Sequence, residues 1–192
     1  MKLRINKTYL CYFEGNQEEK YFKHFSKILK ENFDDVTIKF NKVKNLNVLQ
    51  KASSQMPKVA IFDYDNNKKE FENKLKICKK GKIYIAYTSL NFDLWLLLHK
   101  KMFNKVVTNN NDYIDLIRKE YDLEKTDNIK KESNIDKIIE QINIKDIKFA
   151  IKNADKIMKN KEGKITSNGY IYYNNPSLSI HSFLKDILEK IA

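Results

Sequence analysis

Glycine and proline are scarce in this 192-residue chain, at four and two residues, and only two cysteines occur. So little Gly and Pro suits one compact domain of ordinary size, with no disordered linker or internal repeat. No G-x-x-x-x-G-K segment is present, which excludes a P-loop, and no G-x-S-x-G, which excludes the nucleophile elbow of the α/β-hydrolases. Cys11 and Cys78 lie far apart and belong to no C-x-x-C or Cys/His cluster. Neither a disulfide framework nor a zinc site is indicated, and a reducing cytoplasm fits. The longest apolar run, "LWLLL" at 94–98, is far too short to span a bilayer, and "MKLRINKTYLCYF" lacks the apolar core and cleavage site of a secretory leader. The expectation is a soluble, cytoplasmic protein with no membrane partner.

Arginine is nearly absent too: Arg4 and Arg118 are the only two, so lysine carries a formal charge of +12. The first 99 residues hold +8 of it and the rest +4. Nucleic acid is the natural partner for such an excess. The bias of an AT-rich genome toward Lys, Asn and Ile produces the same charge without any partner.

What is present is a change of period along the first half. "KTYLCYF" (7–13), "DVTIKF" (35–40), "KVAIFD" (58–63) and "KIYIAYT" (82–88) read as strands. Between them, residues 16–32 carry Tyr21, Phe22, Phe25, Ile28 and Leu29 on one helical stripe, with Asn16 as the expected N-cap and Glu19 completing a capping box. Shorter helices are expected over 46–55 and over 68–80, the latter closed by Gly81, and an apolar one over 91–101. Strands alternating with helices give an α/β class with a mainly parallel four-stranded sheet flanked by helices, here over residues 1–101. Residues 102–192 read as a mostly helical extension of the same domain, with helices near 112–120, 133–142 and 145–160, a brief strand at 170–173, and a last helix over 177–190 opened by Asn175 and Pro176.

The chemistry-bearing segment is "KVAIFDYDNN" (58–67), where a strand ends on Asp63 and Asp65. Alternate strand residues point to one side about 6–7 Å apart, so both carboxylates could lean toward one Mg²⁺. They could equally be the acids of an ordinary turn. Glu14, at the end of the first strand and followed by Gly15, is the natural third oxygen ligand, because ligands gather at the carboxyl ends of parallel strands. A phosphoaspartyl phosphatase would carry its aspartates on the first strand with a following Thr, which this chain lacks.

Three blocks in order, "CYFEGNQEEKYF" (11–22), "VAIFDYDNN" (59–67) and "AYTSLNFDLWLLLHK" (86–100), with a closing "NNPSLSIHSFL" (174–184), resemble the RloB-like proteins of bacterial phage-defence loci. The N-terminal fold of that family looks like a TOPRIM domain. Glu14, Gly15, Glu18, Tyr21 and Phe22 match the family pattern E-G-x-T-E-x-x-Y-F, with Gln17 for the threonine. In the third block Thr88, Ser89 and Leu90 stand for Ser-Asn-Pro and Asp93 for a glutamate, while Phe92, Trp95, Leu97, Leu98 and His99 match.

The resemblance implies a TOPRIM-like sheet in which Glu14, Asp63 and Asp65 are the catalytic and metal-binding acids. It also implies a nuclease that uses Mg²⁺ or Mn²⁺ on nucleic acid, RNA such as tRNA slightly favoured over DNA, acts as effector of abortive infection, and is controlled by an ABC-type ATPase partner. Glu14 would complete the coordination shell or serve as general base. Glu18, one helical turn on, would bind a second ion or merely complement the helix dipole. Lys79, Lys80 and Lys82 could track a nucleic-acid backbone or form a solvated face, and His99 could approach a phosphate or pack in the core. His24 is expected to face solvent, and His181 has no evident partner. The altered segment 88–91 leaves a second class open: a non-catalytic nucleic-acid-binding or regulatory subunit.

Overall fold

A computed structural model describes residues 5–53, 55–65, 67–109, 111–159, 161–165 and 171–191. Its centre is a sheet of β1 (Ile5–Phe13), β2 (Val36–Lys42), β3 (Lys58–Tyr64) and β4 (Tyr84–Ser89), in the order β2-β1-β3-β4 with every pairing parallel. The expected α/β class is therefore present. Phe13 stands opposite Ile61 and Asp63 opposite Thr88, so the ends of β1, β3 and β4 share one edge.

Both faces of the sheet are covered, as an all-parallel sheet requires. Tyr9, Cys11, Phe13, Val59, Ile61 and Ala86 face the larger core, built with α1 (Asn16–Asn32) and the helices of the second half. Ala60, Phe62 and Tyr87 face a smaller core under α2 (Leu46–Lys51) and α3 (Lys68–Gly81), and Leu10 and Tyr12 pack against it. The second half contributes α4 (Asp93–Leu98), α5 (Asn111–Glu120), α6 (Glu132–Glu140), α7 (Ile144–Met158) and α8 (Ile180–Ile191). Ile147, Ala150, Phe183 and Leu184 join the same core as Tyr9 and Phe22. None of the helices among the described residues is long and apolar enough to cross a membrane.

Three local expectations are corrected. Gly15, not Asn16, is the N-cap of α1, and glycine has no side chain to cap with; Glu19 completes no capping box and pairs instead with Lys23 (2.7 Å) and Lys42 (2.5 Å). At the end of α3 it is Lys82 (φ 50°) that takes the left-handed conformation. Gly81 serves close packing instead, since a Cβ there would stand 3.1 Å from the Gln50 backbone. The last helix begins at Ile180 rather than 177, because the residues before it are used as sheet. Leu178 bridges Thr88 antiparallel, Ser89 N–H donates to Ser177 O at 2.8 Å and Ser179 N–H to Tyr87 O at 2.8 Å. Asn175 is accordingly no cap; its side chain accepts from Ser89 Oγ at 3.0 Å and donates to Val107 O. The expected brief strand is β6 (Ile171–Tyr172), paired antiparallel with β5 (Lys164–Ile165); residue 170 lies outside the described residues.

Candidate metal centre

Four carboxylates, Glu14, Glu18, Asp63 and Asp65, lie at the edge where β1, β3 and β4 end. Glu14 follows β1 directly, and its N–H still donates to Ile61 O at 3.1 Å, so the chain leaves the sheet only after residue 14. Strand alternation sends Glu14 to the side of Leu10 and Tyr12, toward α3. There Lys74 donates to its Oε1 at 2.6 Å, while Oε2 accepts the Asp63 N–H at 2.9 Å. Asp63 continues the other side, that of Val59 and Ile61, toward α1. Its Oδ1 accepts the Thr88 hydroxyl at 2.7 Å, across the β3–β4 pairing. Asp65 lies one residue beyond the end of β3 and is exposed.

Glu18 occupies the first turn of α1 with only 4% of its surface exposed, and its Oε2 has no partner among the described residues. Gly15 makes this placement possible: a Cβ there would stand 2.5 Å from that oxygen. A cavity of about 230 Å³ opens beside these groups, lined by Glu14, Gln17, Glu18, Asp63 and Lys130 among others.

The electrostatics of the group are frustrated. Burial pushes the Glu18 carboxyl above its ordinary range, with repulsion from Glu14 and Asp93 adding and Lys130 opposing. Asp63 is raised well above the usual carboxylate range, first by burial and then by Glu18, while the Thr88 hydroxyl works the other way. Asp65, exposed but partly desolvated by its neighbours, is raised by that desolvation and by Glu14, and Lys74 opposes it. Closely spaced acids that resist ionisation leave a deficit of positive charge that a cation would relieve.

The donor set fits a divalent cation in kind: hard carboxylate oxygens, one of them buried and unpartnered, beside space left by a glycine. It is not a ready-made cage. Among the described residues no three His, Cys, Asp or Glu side chains converge on one ion position. The physical reason lies in the pleat and in Lys74. Glu14 and Asp63 leave opposite sides of the sheet, and the ammonium of Lys74 holds Glu14 on the α3 side. Glu14, Glu18, Asp63 and Asp65 are the residues that could hold Mg²⁺ or Mn²⁺, Glu14 being paired with Lys74 and Asp63 hydrogen-bonded by Thr88.

The other sequence candidates fall differently. Lys79, Lys80 and Lys82 are exposed, but they sit where α3 has returned to the start of β4, at the sheet edge opposite the acids. His99 is 2% exposed and belongs to the core, with Nε2 3.0 Å from Tyr21 Oη and Nδ1 2.8 Å from Trp95 O; it cannot approach a phosphate. Burial depresses its pKa to about 3, so it is a neutral structural imidazole. His24 does not face solvent freely, since its Nε2 lies 2.8 Å from Ile142 O. His181 is buried and has a partner after all, Asp155 at 3.5 Å.

Sequence reasoning missed Lys74, Thr88 as an Asp63 partner, and Lys130. The lysines could not stand out among so many others. Lys130 lies between α5 and α6, remote in sequence, and reaches the cavity from the helical half. Its Nζ donates to Gln17 Oε1 at 2.9 Å and Asp93 Oδ1 at 3.0 Å. Those two residues are departures from the resembled pattern, and Lys130 links them.

Compared with known proteins, residues 9–187 match the family model described as RloB-like protein. No curated protein and no solved structure matches the chain.

Proposed function

The chain belongs to the RloB-like family, and on that premise we propose that it is a divalent-cation-dependent nuclease. The observation that supports this reading is that Glu14, Glu18, Asp63 and Asp65 lie at one carboxyl edge of a parallel sheet, the first three lining an open cavity, with ionisation of Glu18 and Asp63 opposed. A bound Mg²⁺ or Mn²⁺ would neutralise charge on a phosphodiester and lower the pKa of a water. Asp63 supplies its oxygen from the rigid end of β3, oriented by the Thr88 hydroxyl. Glu18 supplies the buried, unpartnered oxygen from α1. Glu14, once off Lys74, is placed to complete the ligand set or to take a proton from water. An excess of lysine favours a nucleic-acid substrate, with RNA such as tRNA slightly favoured over DNA for an effector this small.

The family likeness also supports a role as effector of an abortive-infection system under an ABC-type ATPase partner. Two buried free thiols, Cys11 and Cys78, suit the cytoplasm. The test is incubation of the purified protein with labelled RNA and DNA in Mn²⁺ or Mg²⁺, beside Asp63→Ala and Glu14→Ala. Cleavage that both substitutions abolish supports the mechanism, and cleavage that survives both removes it.

The Glu14–Lys74 ion pair favours a second reading, in which a resident ammonium stands in for the metal and the protein binds nucleic acid without cutting it. Titration with Mn²⁺ separates the two: no binding, with salt-sensitive nucleic-acid affinity, supports the second.

A further inference from the structure

We propose that Lys130 is the phosphate-binding side chain of the acidic cleft, lent to the sheet by the helical half and aimed by Gln17 and Asp93. The inference rests on the nuclease reading above for its catalytic consequence, though not for its binding consequence.

Asp93 is fully buried and Gln17 is 4% exposed, whereas the Lys130 side chain is 49% exposed. The anchor is therefore interior and the ammonium is at the cavity wall. An ammonium has three N–H donors. Gln17 Oε1 and Asp93 Oδ1 take two, and the third has no partner among the described residues. The backbone that carries it is anchored. Lys130 N–H donates to Asn128 Oδ1 at 2.9 Å, neighbouring Ile129 is buried, and Arg118 donates to Asp127 O through Nε and Nη2. The following helix is clamped to α1 by Lys20, which contacts Glu132 at 3.0 Å and Asp136 at 2.5 Å.

A purely structural account leaves one fact over: a lysine needed only to neutralise Asp93 would have no reason to line the same cavity as Glu14, Glu18 and Asp63. A cleft of carboxylates repels a polyanion, so a substrate phosphate entering it requires a fixed cation besides any bound metal. Lys74 is committed to Glu14 and Glu70. Of the two described lysines that line the acidic edge, Lys130 is the one with a donor to spare.

The experiment compares wild type with Lys130→Met, Lys130→Arg and the double variant Lys130→Met/Asp93→Asn. The double variant removes the charge that the single one would orphan, so misfolding does not confound the result. Affinity for a fluorescent 20-nucleotide single-stranded RNA and a DNA of the same sequence is measured in Ca²⁺ across a salt series, and cleavage of both in Mn²⁺. Loss of one phosphate contact lowers the salt slope by about 1 in both Lys→Met variants. Cleavage is expected to fall about tenfold or more, as kcat/KM, with Mn²⁺ affinity retained. Lys130→Arg restores the slope. An unchanged slope and unchanged cleavage in the double variant overturn the proposal, as does wild-type protein that binds neither oligonucleotide. If wild type binds but does not cleave, the nuclease reading fails, and the slope alone decides for or against Lys130.

Discussion

Lys74 donates to Glu14 at 2.6 Å, from a helix on one face of the sheet to the carboxylate that ends its second strand in spatial order. The same ammonium lies 3.2 Å from Glu70 and 5.5 Å from the centre of the Phe62 ring, so its position is fixed from three sides. A divalent ion drawing on Glu14 must compete with it. Lys74→Met is therefore expected to tighten Mn²⁺ binding by about three- to fivefold, the equivalent of a partly exposed ion pair worth up to roughly 1 kcal/mol. Isothermal titration of the variant against wild type measures it; equal affinities would show that Glu14 takes no part in holding the ion.

Asp63→Asn keeps an oxygen for the Thr88 hydroxyl while removing the charge. Mn²⁺-dependent cleavage is expected to fall by more than about 100-fold, beyond the range for groups that only orient a ligand. A quantitative single-turnover assay against Thr88→Val sets the scale, because Thr88 orients Asp63 and should cost less.

Stability without metal should run against function. Glu18 and Asp63 have folded-state pKa values raised above those of the unfolded chain. The folded state then binds more protons, so their contribution is most favourable below about pH 4 and is lost as pH rises through the folded values. Glu18→Gln is accordingly expected to raise Tm at pH 7 in EDTA by about 2–4 °C, corresponding to roughly 1 kcal/mol for a chain of this size. The gain should vanish at pH 4 and shrink in Mn²⁺, and a calorimetric scan at the two pH values reads it directly.

His99 gives the opposite sign. Its pKa falls from about 6.5 unfolded to about 3 folded. The stability it confers is present above pH 6.5 and lost as pH falls through that window. His99→Ala should cost about 3 kcal/mol at pH 7 through a cavity and the loss of its Tyr21 and Trp95 contacts. Nucleic-acid affinity of the folded fraction should not change. A salt slope reduced in this variant would contradict the buried placement.

Much of the architecture was readable from the chain. The 16–32 helix and the order of strands and helices in the first half followed from a period that switches between 2 and 3.6, a signal strong because both faces of the sheet are buried. The last helix was misplaced at its start because Pro176 after Asn175 mimics a helix opening, whereas hydrogen bonding to β4 decides that segment. The acids Glu14, Asp63 and Asp65 were legible as strand-end carboxylates, and Glu18 as a first-turn one. What period and spacing could not carry was which side of the pleat each acid takes, or which of 35 lysines come to meet them. Those are tertiary facts, fixed by how α3 and the α5–α6 connection pack.

Thr88 touches two distant parts of the chain at once: its hydroxyl reaches Asp63, and its backbone bridges Leu178. The 177–179 stretch thus acts as a selvedge on the fabric of the sheet, hemming a border that would otherwise be raw. A protease nick or a docking protein that lifted this hem would bare unpaired amides ready to recruit another molecule's strand. It would also slacken the threonine that steadies Asp63, so the far carboxyl-terminal portion has leverage on the acidic cleft without ever entering it.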